Sequence, residues 1–124
     1  MWIEYNPNPR GRRTGDCVIR ALSKVLDLDW EETFAVLTIQ GFVLCDWGNA
    51  NHVWGRYLRD NGFVMEPLLN TCPDCYTVRD FAKEHPNGKF VVATGTHVVA
   101  VEDGNYYDSW DSGDEIPTYF WREK

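Results

Sequence analysis

Residues 96–110 constrain the fold of this chain more than any other segment. Their centre is the dipeptide Asp103-Gly104, with runs of β-branched and aromatic residues on both sides. Asp-Gly between two such runs is a strong signal for a β-hairpin closed by a two-residue turn. The turn also predicts the register of the hairpin, in which Glu102 faces Asn105.

Counting outward from this turn brings four side chains to one face of the hairpin. Val99 then faces Asp108 and His97 faces Trp110, because alternate residues of a strand point to the same side. His97 and Asp108 become diagonal neighbours, close enough for the carboxylate to accept a hydrogen bond from the imidazole. Trp110 is expected to shield this pair from water, and alternation places Asp111 on the opposite face.

The rest of the chain predicts an α+β fold. Capping residues and apolar stripes at helical spacing indicate four helices. The first begins at the N-cap Asp16 and ends at the 27–29 turn, and the second spans 29–41. The third spans about 51–61, and the fourth runs from 77 to the break at 86–88. The β-rich runs indicate strands at 90–93, 97–101, 106–110 and 118–121. Helices followed by strands, without alternation, favour N-terminal helices packed on a C-terminal antiparallel sheet in one domain, residues 1–124.

Composition narrows the classes of function. The net charge is −7, and the one basic cluster, Arg10, Arg12 and Arg13, is short, so we expect no nucleic-acid partner. We interpret that cluster as a solvated loop, with recognition of an acidic substrate as the alternative. No secretory signal and no apolar run of membrane-spanning length are evident, which predicts a cytoplasmic protein without membrane contact. The oligomeric state stays open.

Cys17 is the strongest candidate nucleophile. It follows Asp16 in the first turn of an amphipathic helix, where free N–H groups and the helix dipole stabilise a thiolate. A small buried cysteine is the alternative interpretation. His97 and Asp108 favour the catalytic one, because a histidine oriented by a carboxylate is the general base that a nucleophile needs.

These residues resemble the papain-like cysteine peptidase superfamily, in which a cysteine on a helix comes first and a strand histidine and then Asn or Asp follow. Gly15-Asp16-Cys17 resembles the nucleophile segment, and Asp108-Ser109-Trp110 resembles the Asn-Ser-Trp of papain. Gly-Asp-Cys followed by Arg20-Ala21-Leu22 also looks like small proteins common in bacteriophages and their hosts. The resemblance implies a papain-like fold and a cysteine-dependent peptidase, isopeptidase or amidase.

The resemblance implies a peptide or protein substrate, no cofactor, and the triad Cys17, His97 and Asp108. The glutamine of the family's oxyanion hole would fall on Gly11 here. We therefore expect Asn8, or else Asn6, to supply that donor.

Other cysteines and histidines offer competing interpretations. Cys72 and Cys75 have the spacing of half a zinc site or of a redox pair, but no second ligand pair follows, so we expect no bound metal. Cys45 and His52 could complete a zinc site only if the fold brought them next to Cys72 and Cys75. His52 is the alternative base, and His85 is interpreted as a helix-end residue. A papain-like domain kept as a binding or host-interaction module, without catalysis, is the alternative function.

Overall fold

The α+β class is confirmed by a computed structural model that describes all residues from 1 to 124. Four helices are present: α1 (Cys17–Leu26), α2 (Trp30–Leu44), α3 (Asn51–Asp60) and α4 (Val78–Glu84). One sheet contains six strands: β1 (Trp2–Glu4), β2 (Phe63–Pro67), β3 (Lys89–Ala93), β4 (Val98–Glu102), β5 (Asn105–Asp108) and β6 (Tyr119–Glu123). None of the helices is both long enough and apolar enough to cross a membrane.

The β4–β5 hairpin has the predicted turn and register. Asp103 and Gly104 have φ angles of 49° and 84°, both in the left-handed region that a tight hairpin turn requires. Glu102 lies opposite Asn105, which confirms the predicted register of the hairpin. β4 is shifted by one residue from the prediction, since it begins after His97 and continues to Glu102, and β5 begins one residue earlier than predicted and ends two residues earlier, at Asp108.

The sheet is mixed, which corrects the prediction of an antiparallel sheet formed only by the C-terminal half. The strand order is β1-β5-β4-β3-β6-β2, and β1 pairs parallel to β5. Glu4 of β1 lies opposite Asp108, so the N-terminal strand supports the end of the hairpin. Both missed strands lie at sheet edges. β1 has only three residues, and β2 contains a glutamate and ends in a proline, so neither shows the apolar alternation by which strands are predicted.

Helices cover both faces of the sheet rather than one. In β3, Val91 packs in the core that α1, α2 and α3 share, while Val92 packs with α4 on the opposite face. In β4, Ala100 likewise packs in the core shared by α1, α2 and α3, and Val99 packs in the core under α4. Strands buried on both faces read as continuous apolar runs, as residues 98–101 do.

The start of α1 differs from the prediction in one detail that matters for the site. Asp16 occupies the N-cap position, but its side chain makes no capping hydrogen bond. The carboxylate instead accepts hydrogen bonds from Arg20 and from the indole of Trp30. By contrast, Asp29 caps α2 as expected by accepting from the backbone N–H of Glu32.

The second helix continues past the predicted stop at Gly41 and ends at Leu44. A Cβ at Gly41 would lie 2.5 Å from the backbone oxygen of Asp46. The glycine at position 41 therefore permits the turn after α2 to pack closely against the helix. In the sequence, a glycine required for such packing looks the same as a glycine that ends a helix.

Candidate active site

The three predicted catalytic residues come from three elements that meet at one end of the sheet. Cys17 is the first residue of α1, His97 immediately precedes β4, and Asp108 is the last residue of β5. Cys17 and His97 line one pocket of about 560 Å³. Asp108 lies beneath it with no exposed surface.

The imidazole of His97 is held by Asp108. Its Nε2 lies 2.6 Å from Oδ2 of Asp108, and the His97 side chain is only 10% exposed. The Trp110 ring lies beside the imidazole, with the two ring centroids 4.9 Å apart. Asp111 instead accepts a hydrogen bond from the hydroxyl of Tyr106. The contact predicted from the hairpin register is therefore present, and the rival carboxylate lies elsewhere.

Three further groups bind the Asp108 carboxylate. Ser112 donates its hydroxyl to Oδ2 at 2.6 Å, the Ser109 backbone N–H donates to Oδ1 at 2.8 Å, and Arg20 pairs with Oδ1 at 2.8 Å. Burial raises the pKa of Asp108, but the hydrogen bonds from His97 and Ser112 and the positive charges of His97 and Arg20 outweigh burial, and the pKa lies below its usual value. The carboxylate is therefore ionised, as an orienting acid must be.

Arg20 is the most important site residue that sequence reasoning missed. Its side chain is 4% exposed and bridges two carboxylates, Asp16 at 2.6 Å and Asp108 at 2.8 Å. The i, i+4 spacing of Asp16 and Arg20 was a readable signal for an ion pair on α1. Nothing in the sequence indicated that this pair is buried or that it reaches the hairpin.

The electrostatics of the pocket favour a charged pair formed by Cys17 and His97. Burial opposes ionisation of the Cys17 thiol, yet its interactions with His97, the Val98 backbone and the charge of Arg20 bring its pKa below the usual value. Burial likewise lowers the pKa of His97, but Asp108 and Cys17 outweigh this effect and raise that pKa to about 9. A thiolate beside an imidazolium is the reactive form of a cysteine nucleophile.

The predicted oxyanion donor does not lie in this pocket. Oδ1 of Asn8 accepts hydrogen bonds from the backbone N–H groups of Arg10 and Arg12, and Asn8 lines a different cavity. The Asn8 side chain therefore stabilises the turn of its own loop, and the composition of the loop did not reveal this role. Asn6 is similarly engaged, since its amide donates to the carbonyl of Arg12.

Other donors are available next to Cys17. No side chain caps α1, so the N–H groups of its first turn are free to donate hydrogen bonds to a bound oxyanion. Asn49 and Asn51 also line the pocket. The Oδ1 atom of Asn51 accepts from the indole of Trp54 at 3.2 Å, an orientation that leaves its NH₂ group as a donor.

The competing cysteines and histidines lie outside the pocket. Cys72 and Cys75 are exposed, with their sulfur atoms 3.0 Å apart, and no group of three or more metal-ligating side chains is present. His52 pairs with Asp46 at 2.6 Å on the surface. His85 bonds the carbonyl of Phe81 at 2.7 Å at the end of α4. Of the three histidines, only His97 lines the pocket of the nucleophile candidate.

No protein-family model, curated protein or solved structure matches this chain.

Proposed function

We propose that this protein is a papain-like cysteine-dependent hydrolase that acts on an amide bond of a peptide or protein, with Cys17 as nucleophile, His97 as base and acid, and Asp108 as the residue that orients His97. The observation that carries the proposal is the alignment of a helix-borne thiol, an imidazole and a buried carboxylate at one pocket. Each group has the pKa direction that this chemistry needs.

The chemistry proceeds in two steps. The Cys17 thiolate attacks the substrate carbonyl carbon, and the resulting oxyanion is stabilised by the first-turn N–H groups of α1. The His97 imidazolium gives its proton to the amine as the C–N bond breaks, which leaves a thioester on Cys17. Water then attacks the thioester and transfers a proton to His97, and the C–S bond breaks to release the carboxylic acid and the Cys17 thiolate, which restores the starting thiolate–imidazolium pair. An amine in place of water gives acyl transfer with the same residues.

Asp108 acts through His97 in both steps. Its carboxylate fixes Nε2 and leaves the other ring nitrogen for the thiol, and its negative charge stabilises the imidazolium. Because Arg20, Ser109 and Ser112 all hold the carboxylate, it keeps this orientation during the reaction.

Alkylation with iodoacetamide tests the proposal without knowledge of the substrate. Cys17 is expected to react faster at pH 6 to 7 than Cys45, Cys72 and Cys75, although those three are more exposed, because a thiolate reacts and a thiol does not. Peptide mass spectrometry measures all four rates in one sample. His97→Gln should remove the advantage of Cys17. Equal rates at all four cysteines in the wild-type protein would overturn the proposal.

A further inference from the structure

A second cavity, here called the α1–α2 groove, lies beside the Cys17 pocket and has a volume of about 730 Å³. Leu37, 2% exposed, lies at its base. One wall is a pair of aromatic rings, Trp30 and Phe34, stacked with centroids 5.1 Å apart. Phe42 and Trp47, which are 84% and 80% exposed, stand at the rim. The groove therefore presents apolar and aromatic surface that the fold itself leaves uncovered.

The groove and the Cys17 pocket share lining residues. Thr14, Gly15 and Asn49 contribute to both cavities. A Cβ built on Gly15 would meet no atom within 4 Å, so the space above this residue is open. Gly15 stands two positions before Cys17, and a molecule bound at the thiol can therefore extend over it into the groove.

We propose that the α1–α2 groove binds a large apolar group, aromatic or branched aliphatic, of the same molecule that Cys17 attacks; this inference rests on the proposed function. The volume lies in the range of small-molecule sites, and apolar walls with a few polar groups are typical of them. The groove is continuous with the pocket of the nucleophile, which favours substrate over other occupants. A second copy of the chain is disfavoured because each copy carries a net charge of −7.

The wall that contacts the apolar group is held in place from the catalytic side. The Trp30 indole donates to Oδ2 of Asp16 at 2.8 Å, and Asp16 pairs through Arg20 with the residue that orients His97. A group bound in the groove therefore contacts the Trp30 ring, whose position is fixed relative to Cys17, His97 and Asp108. The groove is expected to select substrates by the size of their apolar group.

Two alkylating reagents test the inference, iodoacetamide and its N-(2-phenylethyl) derivative. Each forms a thioether at Cys17 and releases iodide, so only the tail differs. We expect the phenylethyl reagent to alkylate wild-type Cys17 about tenfold faster than iodoacetamide at a concentration below saturation, because the ring leaves water for the groove. Cys72 lines neither cavity, so the rate ratio at Cys72 measures the intrinsic difference between the reagents and is divided out.

Two substitutions on α2 form a matched pair. Phe34, 47% exposed, lines the groove, whereas Ile39, 60% exposed, does not. Phe34→Ser should reduce the preference for the phenylethyl reagent at least threefold, and Ile39→Ser should preserve it. Both side chains are substantially exposed, and circular dichroism verifies that both variants fold.

The outcomes separate this inference from the proposed function. If iodoacetamide itself shows no selectivity for wild-type Cys17, both are overturned. If iodoacetamide is selective but the phenylethyl tail gives no gain, or if both variants keep the gain, only the groove inference is overturned. It is also overturned if sedimentation shows a wild-type dimer that Phe34→Ser dissociates, since a second copy would then occupy the groove.

Discussion

Four side chains connect the beginning of α1 with the hairpin: Asp16, Arg20, Asp108 and His97. The guanidinium of Arg20 lies between two carboxylates, and the second of these holds the imidazole. Charges this deeply buried are tolerated only when each has a partner of opposite sign and good hydrogen bonds. At the scale of the residue, the orientation of His97 thus depends on Arg20, a residue seventy-seven positions earlier that acts on it through Asp108.

The two neighbouring carboxylates of the hairpin end should differ in their effect on Cys17. Asp108→Ala removes the partner of His97, which should lower the alkylation rate of Cys17 at neutral pH by tenfold or more and displace its pH dependence. Asp111→Ala should leave both nearly unchanged, because Asp111 contacts Tyr106 instead. Iodoacetamide labelling with mass spectrometry measures the contrast. A greater loss at Asp111 would remove Asp108 from the site.

Arg20 should contribute much more stability than an exposed arginine. Arg20→Met leaves the buried carboxylate of Asp16 without a cation and leaves Asp108 with His97 alone, and the free energy of unfolding should fall by about 3 to 5 kcal/mol. The control is Arg122→Met, which breaks a half-exposed pair with Glu66 at 2.9 Å and should cost at most about 1 kcal/mol. Urea unfolding measures both. Similar losses in the two variants would contradict the role of Arg20.

Stability should depend on pH through His97. The pKa of His97 is raised from 6.5 to about 9 on folding, so the native state binds the extra proton between these values. Its contribution is complete below pH 6.5 and is lost as the pH rises through about 9. Cys17 titrates in the opposite sense, so the measurement uses Cys17→Ala as its background.

Cys17 is one of the two groups that raise the pKa of His97, so in this background the pKa stays raised by Asp108 alone and lies below 9. The free energy of unfolding should therefore fall by about 1 to 2 kcal/mol between pH 6.5 and 9. The matched variant Cys17→Ala/His97→Gln should show no such fall. Urea unfolding at several pH values compares them. Parallel curves for the two proteins would mean that His97 gains no proton affinity on folding.

At the scale of the element, the β4–β5 hairpin and α1 each supply one half of the site. The hairpin register decides which carboxylate meets His97, because a slip of one residue would exchange the faces of Asp108 and Asp111. The helix supplies a thiol and uncapped N–H groups at its first turn. Neither element is sufficient by itself, since the proposed nucleophile Cys17 and its proposed base His97 come from different ones.

The turn glycine of the hairpin should be hard to replace. Gly104 has a φ of 84°, so Gly104→Ala should lower the free energy of unfolding by about 1 to 2 kcal/mol through backbone strain. Its Cβ would meet the Cα of Pro86 at an ordinary 3.5 Å, so packing adds little. Gly95→Ala is the control, because Gly95 has no positive φ and open space around its Cβ. Equal effects in urea unfolding would argue against the turn.

At the scale of the whole molecule, the sheet separates two cores, and the candidate site lies at the end where α1, β4 and β5 meet. The core shared by α1, α2 and α3 contains thirteen buried residues, and the core under α4 contains eight. The larger core fixes the position of α1 relative to the hairpin. The segment that carries Cys72 and Cys75 lies between β2 and α4 and contributes no residue to the Cys17 pocket.

The whole protein should fold without zinc. Cys72 and Cys75 are both exposed, and a structural zinc site requires four ligands in tetrahedral arrangement. Elemental analysis of purified protein should find less than one zinc per ten chains, and a chelator should not change the thermal unfolding midpoint. One zinc per chain would show that ligands gather in a way absent from this structure.

The local sequence was informative wherever neighbouring residues decide the conformation. Asp103-Gly104 determined the turn and, through the period of two, the contact of His97 with Asp108. Thr77 and Asp80 determined the start of α4, where both hydrogen bonds of the capping box are present. These features are predictable because the interacting groups lie within about fifteen positions of one another.

Long-range packing decided the features that the sequence did not reveal. The parallel pairing of β1, the helix on the second face, and the burial of Arg20 between two carboxylates all join distant segments. Asn8 shows the reverse, because its side-chain oxygen accepts two hydrogen bonds within its own loop, which hold the side chain away from the Cys17 pocket. Local propensity and periodicity specify which face of an element is apolar and which turn closes it, but they do not specify which distant surface covers that face. That choice depends on the free energy of the whole packed core, and only the tertiary structure determines it.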